Sequence, residues 1–322
     1  MAAVEVTFGP PRSAGRSTPS VVCIGVFDGV HRGHRWLIRQ AKDQAEQVDL
    51  PLTVLTFEPH PKRVVRPDSA PCQLSSLKQR IELLSEAGAD QIRVVNFDDV
   101  TAAMSPEQFV YDYLVQDLST EHVVVGENWR FGNRAAGDVK LLAQIGESAG
   151  FSVTGVGLHT SRDGEVWSSS RIRDLVAQGH VESAAEGLLR WHRCEGEIVV
   201  GDQRGRDLGY PTANLQVPVE SCRPADGVYA GFLVLRPYEA IAEILPAAVS
   251  VGVNSTFDGT ESRVEAYVLD RTDLDIYGEY AAVDFVARLR GMENFGGVDE
   301  LMSAMATDVS EARKIVVPVS DV

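Results

Sequence analysis

The feature that most constrains the fold is a regular alternation of short apolar runs and helix-patterned segments in the first half of the chain. Five apolar runs have the length and composition of buried strands: 21–27, 52–57, 91–97, 122–126 and 151–157. Segments with helical spacing lie between them, at 34–48, 75–87, 105–118 and 137–149. Strands that are regularly separated by helices predict an α/β domain with a parallel, doubly wound, Rossmann-like sheet.

The pattern changes after roughly residue 188. From there strands follow one another with almost no helix between them, at 195–200, 227–235, 247–253, 263–269 and 279–289, and one helical segment, 298–315, closes the chain. Such a run of strands predicts an antiparallel barrel or sandwich. Because 322 residues favour two domains over one, we place a first domain at 1–187 and a second at 188–322.

The charge of the chain limits the partners that it can bind. A general nucleic-acid surface needs a basic footprint, and the net charge is −16, so we expect no nucleic-acid partner. An acidic protein can still bind a nucleotide through backbone N–H groups, helix N-termini, a few cations or a metal. The sequence contains no apolar run of membrane-spanning length and no signal-peptide pattern. We therefore expect a cytoplasmic protein without a membrane partner, and homo-oligomerisation stays open.

The four cysteines are scattered. Cys23, Cys72, Cys194 and Cys222 form no CxxC pair. This spacing disfavours both a disulfide framework and a cysteine zinc site, and we expect a reducing compartment.

Residues 25–38, GVFDGVHRGHRWLI, join the first predicted strand to the first predicted helix. Asp28, His31 and His34 could ligate a metal, since histidines three apart share a helix face, but no second cluster with ligand spacing lies nearby. The stretch could also be a plain glycine turn that caps the helix. A phosphate site explains more of these residues together, because glycines admit an anion, a helix start attracts it and histidines can donate to it.

Three further stretches carry polar residues to places where strands or helices begin or end. WSSSRIRDL (167–175) places Arg171 and Arg173 in a first helical turn, where the helix dipole disfavours cations, which suggests that they serve an anion. TFEPHP (56–61) and VGENWRFG (125–132) follow the second and fourth predicted strands. Ligands of doubly wound sheets bind beyond the carboxyl ends of the strands, so these loops are expected to share one sheet edge.

With these residues in view, GVFDGVHRGH and SSSRIR resemble the HxGH and SSTxIR-like motifs of the nucleotidyltransferase superfamily. With TFEPHP and GENWRFG added, residues 21 to 180 resemble the FMN adenylyltransferase domain of the bifunctional bacterial riboflavin kinase/FAD synthetase family. The resemblance implies that an FMN phosphate oxygen attacks the α-phosphorus of ATP and that pyrophosphate leaves.

The resemblance also implies a set of site residues. His31 and His34 would face the triphosphate, Arg173 would neutralise it from the other side, and Asn128 would help to position the reacting groups, with Arg171 a weaker candidate. His60 and Asn128 would contact the flavin. The ATP residues implied for this domain are Gly25, Phe27, Asp28, Gly29, His31, Gly33, His34, Ser169, Ser170 and Arg173.

A second constellation lies in the later half of the chain. In GDQRGRDLGYPTANL (201–215), Thr212 and Asn214 are two apart, so they point to the same side of an extended segment and offer the oxygen ligands that suit Mg²⁺. RVEAYVLD (263–270) places Glu265 among mostly apolar residues. Glu265 is either an exposed edge residue or a desolvated carboxylate inside the barrel, with the raised pKa that suits a general base.

These residues resemble the riboflavin kinase domain of the same family, over about residues 190 to 315. The resemblance implies that Thr212 and Asn214 bind Mg²⁺ and ATP and that Glu265 takes the proton from the ribityl 5′-hydroxyl of riboflavin. Arg290 and Phe295 would contact the flavin. The loops 201–209 and 290–297 would cover nucleotide and flavin, and Arg204 or Arg206 would contact phosphate.

The resemblance therefore implies a two-step enzyme that converts riboflavin to FMN and then FMN to FAD, with ATP and Mg²⁺. Two alternatives stay open: only one half-reaction is active, or the protein is a flavin- or nucleotide-binding regulator. The sequence departs from the family pattern at Trp129, where phenylalanine is expected, at Ser170, where threonine is usual, and at Tyr267, where histidine is expected. At the last of these we expect altered flavin contacts.

Overall fold

The computed structural model describes the chain in six stretches: 4–12, 18–160, 164–201, 210–253, 262–271 and 275–316. Its backbone divides into two compact units. The first unit comprises residues up to 71 together with 77–168, and the second comprises 72–76 together with residues from 169 onward. The boundary expected between 187 and 188 stays a prediction. None of the helices that the structure describes is long and apolar enough to span a membrane.

The first unit is built on a six-stranded parallel sheet. Its strands are β1 (Glu5–Gly9), β2 (Ser20–Ile24), β3 (Leu52–Glu58), β4 (Gln91–Asn96), β5 (Thr120–Gly126) and β8 (Ser152–Val156). They lie in the order β1-β4-β3-β2-β5-β8, which confirms the predicted doubly wound sheet. A two-stranded ribbon, β6 (Arg130–Phe131) and β7 (Gly137–Asp138), follows β5. The edge strand β1 was not predicted, because its residues are half-buried and form no apolar run.

Helices cover both faces of this sheet. They are α1 (Arg32–Gln47), α2 (Pro61–Val65), α3 (Leu77–Glu86), α4 (Asp99–Ala103), α5 (Pro106–Phe109) with its π-helical continuation (Val110–Asp117), and α6 (Val139–Ala149). Short 3₁₀ turns occur at Pro67–Ser69 and Asn133–Ala135. On β2, Val21 packs in a cluster with α1 and α3, whereas its neighbour Val22 packs in a second cluster with α5 and α6. Because both faces are buried, the strand reads as a continuous apolar run.

The strand order reverses at β2. From β2 the chain moves outward through β3 and β4 on one side, and through β5 and β8 on the other. Since all neighbouring pairs are parallel, the loops that follow β2, β3 and β5 leave the same edge of the sheet. Such a switch point is where doubly wound sheets bind ligands.

The second unit is a closed antiparallel barrel. Its strands are β9 (His192–Val199), β10 (Ala213–Gln216), β11 (Gly227–Leu235), β12 (Glu243–Val253), β13 (Ser262–Val268) and β14 (Tyr280–Arg290), and its helices are α7 (Ser169–Ala177), α8 (Val181–Leu188) and α9 (Val298–Ile315). The closed order β10-β13-β12-β11-β14-β9 confirms the predicted barrel, and α9 is the predicted closing helix. Helix α9 covers the outer face of the barrel, where Ala312 packs with Ala230 and Ala248. Strand β10 was not predicted, since proline and asparagine mark its start as a loop.

A buried ion pair holds the end of the edge strand β1 against the sheet. Arg93 on β4 and Asp117 are both almost inaccessible, and Arg93 Nε donates to Asp117 Oδ2 at 2.7 Å. Arg93 Nη2 also donates to the carbonyl oxygens of Gly9 (2.9 Å) and Pro10 (2.7 Å), and Arg12 donates to the second oxygen of Asp117. The charges are therefore paired and hydrogen-bonded, as buried charges must be.

One expectation about the cysteines is corrected. Cys72 and Cys222, which are 150 residues apart in sequence, form a disulfide within the second unit, with their Cα atoms 4.9 Å apart. Cys23 and Cys194 are free and buried. The spacing of cysteines carries no information about pairing across such a distance, so the sequence could not identify this bond.

Candidate active sites

The two histidines of the HxGH motif form the start of helix α1. His31 is the N-cap residue, and its Nδ1 accepts hydrogen bonds from the backbone N–H groups of Gly33 (3.1 Å) and His34 (3.4 Å). The rings of His31 and His34 are stacked, with centroids 3.6 Å apart. Because Nδ1 is an acceptor, the proton of the neutral His31 ring is on Nε2, which is then a donor for a ligand oxygen.

This capping arrangement bears on the interpretations of the motif. The Nδ1 atom of His31 is engaged with two backbone amides, so it is not offered to a metal. Across the stretches that the structure describes, no group of three or more His, Cys, Asp or Glu side chains is arranged to hold a metal ion. The capping turn and the phosphate interpretation are compatible, since the cap orients both imidazoles at the positive end of a helix.

The loop between β2 and α1 is locally strained. Phe27 (φ 53°) and Val30 (φ 40°) are non-glycine residues in the left-handed region, and both side chains are fully buried. A Cβ at Gly25 would lie 2.8 Å from the ring of Phe27, so only glycine fits there. Strain of this kind persists where the surroundings determine the conformation, and it is concentrated at functional sites.

Arg80 on α3 is a positioning residue that the sequence analysis missed. Its side chain is buried, Nη1 donates to the carbonyl oxygen of Val26 at 3.0 Å, and Nη2 pairs with Glu58 at the end of β3. Thr56 donates to the same carbonyl oxygen at 3.0 Å. The loop that carries His31 is thereby tied to the neighbouring strand. The available signal was a lone arginine three residues before Leu83, on the apolar side of a predicted helix.

The other two predicted loops leave the same sheet edge. His60 follows β3 and is the buried N-cap of α2, with Nδ1 accepting from Lys62 N at 3.1 Å. Asn128 follows β5 and is exposed, and a Cβ at Gly126 would lie 3.3 Å from its Oδ1. Because β3 and β5 flank β2, the loops of His31, His60 and Asn128 begin on three adjacent strands. Their ligand contacts stay predictions.

The SSSRIR motif begins helix α7, which starts at Ser169, as the sequence indicated. This helix belongs to the second unit. Ser170 is exposed, and Arg171 and Arg173 are half-buried. Arg173 Nε donates to the carbonyl oxygen of Cys72 at 2.7 Å. The roles of these residues toward ATP stay predictions.

The second constellation is brought together on the barrel. Asn214 on β10 lies directly opposite Glu265 on β13. Thr212 Oγ1 donates to Glu265 Oε2 at 3.4 Å, and Asn214 Nδ2 lies 3.4 Å from Thr212 Oγ1. Thr212 and Asn214 therefore form one polar cluster with Glu265, which lies about 50 residues further along the chain.

The suggestion that Glu265 points into the barrel is wrong. Its neighbours Val264 and Ala266 are in the barrel core, so Glu265 faces outward and is half-buried. The outer face at this place is apolar as well, because α9 covers it and Tyr267 packs there against Val309. Since both faces of β13 are apolar, alternation along the strand could not assign the side.

The residues of this cluster fit Mg²⁺. Asn214 is almost fully buried, and its Oδ1 has no hydrogen-bond partner among the described residues. A buried carbonyl oxygen without a partner is costly unless a ligand completes it. Beside it lie the hydroxyl of Thr212 and the carboxylate of Glu265, all oxygen ligands of the kind that Mg²⁺ prefers. A Cβ at Gly201 would lie 2.5 Å from Asn214 Oδ1, so glycine is needed there.

Two cavities adjoin the cluster. The smaller, about 270 Å³, is largely apolar and is lined by Thr212, Glu265, Tyr267, Met292, Phe295 and Met305. The larger, about 570 Å³, is lined by Gly201, Asn214, Gln216, Arg223 and Arg263 among others. The cluster thus contributes Glu265 to one cavity and Asn214 to the other, and two arginines line the larger cavity.

Arg290 and Phe295 both line the smaller cavity. Arg290 forms a two-pronged ion pair with Asp308 on α9 (2.9 and 2.7 Å), and its guanidinium carbon lies 5.5 Å from the ring centroid of Phe295. Arg290 therefore contacts both α9 and the ring of Phe295. The predicted covering loop 201–209 lies outside the described residues except for Gly201, and so do Arg204 and Arg206.

Comparisons with known proteins agree with both halves of the chain. The FAD synthetase family matches residues 14–171, and the Riboflavin kinase family matches residues 188–316. The chain is 35% identical to the bifunctional riboflavin kinase/FMN adenylyltransferase of Escherichia coli K12, covering 91% of this chain and 92% of that protein. It is 34% identical to the protein of the same name from Listeria monocytogenes, covering 94% of each.

A solved structure extends this similarity to the fold. A crystal structure described as a macrolide-efflux protein from Streptococcus pneumoniae has a TM-score of 0.84 and 30% identity to this chain. It covers 96% of this chain and 99% of that one. The similarity therefore covers nearly the full length of both chains.

Proposed function

The chain belongs to the family of bifunctional riboflavin kinases/FMN adenylyltransferases, and we propose that its second unit phosphorylates riboflavin to FMN while its first unit adenylylates FMN to FAD. The observation that carries this division is the placement of one carboxylate. Glu265 lies in the wall of an apolar cavity and beside the oxygen atoms that fit Mg²⁺. The HxGH site instead presents imidazoles at a helix start.

In the kinase reaction the nucleophile is the ribityl 5′-hydroxyl of riboflavin. An alcohol must lose its proton as the phosphorus–oxygen bond forms, so a base is needed, and Glu265 supplies it. The flavin ring occupies the smaller, apolar cavity against Phe295, and the nucleotide occupies the larger one with Arg223 and Arg263. Mg²⁺ held by Thr212 and Asn214 would neutralise charge on the transferred phosphate.

In the adenylyl transfer the nucleophile is the phosphate of FMN. Its second pKa is roughly 6, so it is already mostly dianionic near neutrality and needs no base. One of its oxygen atoms bonds to the α-phosphorus of ATP, the bond from that phosphorus to the bridging oxygen breaks, and pyrophosphate leaves. His31 and His34 stabilise the triphosphate, Asn128 orients the reacting groups, and Arg173, on the strength of its motif, neutralises charge.

The test uses one variant for each site. Glu265→Gln keeps the size of the side chain but removes the base, and we expect FMN formation to fall by about 10²–10⁴-fold. FAD formation from supplied FMN should be unchanged. His34→Ala should do the reverse, stopping FAD formation while sparing riboflavin phosphorylation. The reactions contain ATP and Mg²⁺, and FMN and FAD are separated by chromatography.

The outcomes also address the two alternatives. If the unmodified protein forms neither FMN nor FAD, a flavin- or nucleotide-binding regulator is favoured. If it forms only one product, a single half-reaction is active. Loss of both half-reactions in Glu265→Gln, or of neither, would contradict the division of labour. A chelator that removes Mg²⁺ should stop riboflavin phosphorylation, and added Mg²⁺ should restore it.

A further inference from the structure

A five-residue segment of the chain, Cys72–Ser76, belongs to the second unit. Cys72–Ser76 packs with that unit, although the residues on both sides of it belong to the first. Cys72 forms the disulfide with Cys222. Gln73 N donates to the carbonyl oxygen of Glu220 at 2.7 Å, and Cys222 N donates to the carbonyl oxygen of Gln73 at 2.8 Å. The disulfide and this short bridge together fix the backbone of the segment.

The fixed backbone makes a direct contact with a proposed site residue. The carbonyl oxygen of Cys72 accepts a hydrogen bond of 2.7 Å from Nε of Arg173. A guanidinium is planar and rigid, so a hydrogen bond at Nε sets the direction of its two terminal nitrogens. The charge on Arg173 also makes this bond stronger than one between neutral groups. Cys72 is therefore one of the groups that orient the guanidinium of Arg173.

The two ends of the disulfide are anchored differently. Cys222 is buried, and its carbonyl oxygen accepts from His192 Nε2 at 2.8 Å and from Cys194 Sγ at 3.4 Å. Both of these donors lie on strand β9 of the barrel. Cys72 is only half-buried and lies in a loop. Cleavage of the bond should therefore loosen the Cys72 side and leave Cys222, with its neighbour Arg223, in place.

We propose that the Cys72–Cys222 disulfide positions Arg173 for adenylyl transfer, so that reduction of this bond slows FAD formation selectively. This inference rests on the proposed role of Arg173 at the ATP triphosphate. Cys72 is a positioning residue, since it acts through Arg173 and does not itself contact a substrate. The disulfide thus makes one of the two half-reactions sensitive to the redox state of the surroundings, and leaves the other insensitive.

The redox step is a thiol–disulfide exchange with a dithiol. A thiolate of the dithiol attacks one sulfur of the disulfide, a mixed disulfide forms, and the second thiol of the reductant closes its own ring. Two electrons pass from the dithiol to Cys72 and Cys222, which take up the two protons that the dithiol loses. The half-buried position of Cys72 gives the reductant access.

The first experiment compares the oxidised and the reduced wild-type protein. Dithiothreitol should raise the number of alkylatable thiols in the denatured protein from two to four, since Cys23 and Cys194 are already free. We expect kcat/KM for ATP in FAD formation to fall threefold or more on reduction, with the KM for FMN and the rate of riboflavin phosphorylation unchanged. Removal of the reductant and reoxidation should restore the rate.

Variants then separate the inference from the function on which it rests. Arg173→Ala should form FAD slowly whether oxidised or reduced, because the group that the disulfide positions is gone. Cys72→Ser should behave like the reduced protein, and Cys23→Ser, which keeps the disulfide, should retain the full response to reduction. If Arg173→Ala forms FAD at the wild-type rate, the proposed role of Arg173 is wrong.

Two other outcomes overturn the positioning role alone. One is a slow Arg173→Ala variant together with a wild-type protein that does not respond to reduction. The other is a response to reduction of the same size in wild type and in Arg173→Ala, since the two perturbations would then be independent. Because the wild-type protein can be reduced and reoxidised, the inference remains testable if Cys72→Ser fails to fold.

Discussion

Replacing Gly33 by alanine tests whether close backbone approach positions the imidazoles of the HxGH motif. A Cβ at Gly33 would lie 2.9 Å from the backbone oxygen of Trp167 and 3.1 Å from Cε1 of His31. Since ordinary contacts begin near 3.4 Å, these atoms must separate by about half an ångström. Because the Trp167 oxygen belongs to the backbone, the start of α1, which carries both imidazoles, must move away from it, and the ring of His31 must shift as well.

The magnitudes predict a folded but slow enzyme. Overpacking costs about 1–3 kcal/mol, and alanine in a helix regains about 1 kcal/mol relative to glycine. The net loss of at most about 2 kcal/mol is smaller than the about 5–15 kcal/mol by which domains are stable. A misplacement of about 1 Å can slow a reaction about 100-fold, so half of that distance should lower the kcat of FAD formation about tenfold.

The assay has an internal and a matched control. FAD formation from FMN and ATP is measured beside riboflavin phosphorylation in the same preparation, and the second rate should not change. Gly157→Ala adds the same methyl group in the first unit, where it would meet nothing within 4 Å, and should leave both rates unchanged. A wild-type rate of FAD formation in Gly33→Ala, or an equal loss in Gly157→Ala, would refute the argument from close approach.

Three further changes test other parts of the structure. Gly201→Ala places a Cβ 2.5 Å from Oδ1 of Asn214, so it should slow riboflavin phosphorylation about tenfold or more and spare FAD formation; equal loss of both rates would contradict this. Asp117→Ala leaves Arg93 buried without its charge partner and should lower the free energy of unfolding in urea by about 3–5 kcal/mol; a loss under about 1 kcal/mol would contradict this. Burial lowers the pKa of His122, so the unfolded chain takes up a proton at a higher pH than the folded protein does. The free energy of unfolding should therefore fall as the pH drops from about 6.5 through the lowered pKa. Unfolding measured over this pH range should show a smaller fall for His122→Gln than for wild type.

The fold was predictable where burial leaves a pattern in the sequence. Strands β2 to β5 are covered on both faces and read as apolar runs, and the barrel strands alternate with turns. Strand β1 is a half-exposed edge, so its apolar signal is weak. Its attachment depends on Arg93 and Asp117, a pair that is 24 residues apart in sequence and that no local pattern joins.

The candidate sites were predictable to the extent that their residues lie in contiguous motifs. His31 with His34 and Thr212 with Asn214 could be recognised because a cap or an extended segment fixes them locally. Arg80 was missed because an arginine on the apolar side of a predicted helix does not reveal its partner, a carbonyl oxygen 54 residues away in sequence. The orientation of Glu265 could not be assigned either, because α9 makes the outer face of the barrel as apolar as its core.

The side chains of the two sites differ because the two nucleophiles have different chemical needs. Phosphorylation of an alcohol needs a base, and the barrel places the carboxylate of Glu265 in one cluster with a buried oxygen atom of Asn214 that has no partner among the described residues. Transfer to a phosphate dianion needs hydrogen-bond donors and no base. At the start of α1, His31 Nδ1 accepts hydrogen bonds from the backbone, so this ring can donate to a phosphate oxygen through Nε2–H. The order of the two reactions follows from their chemistry, because the phosphate that phosphorylation adds to riboflavin is the nucleophile of the adenylyl transfer.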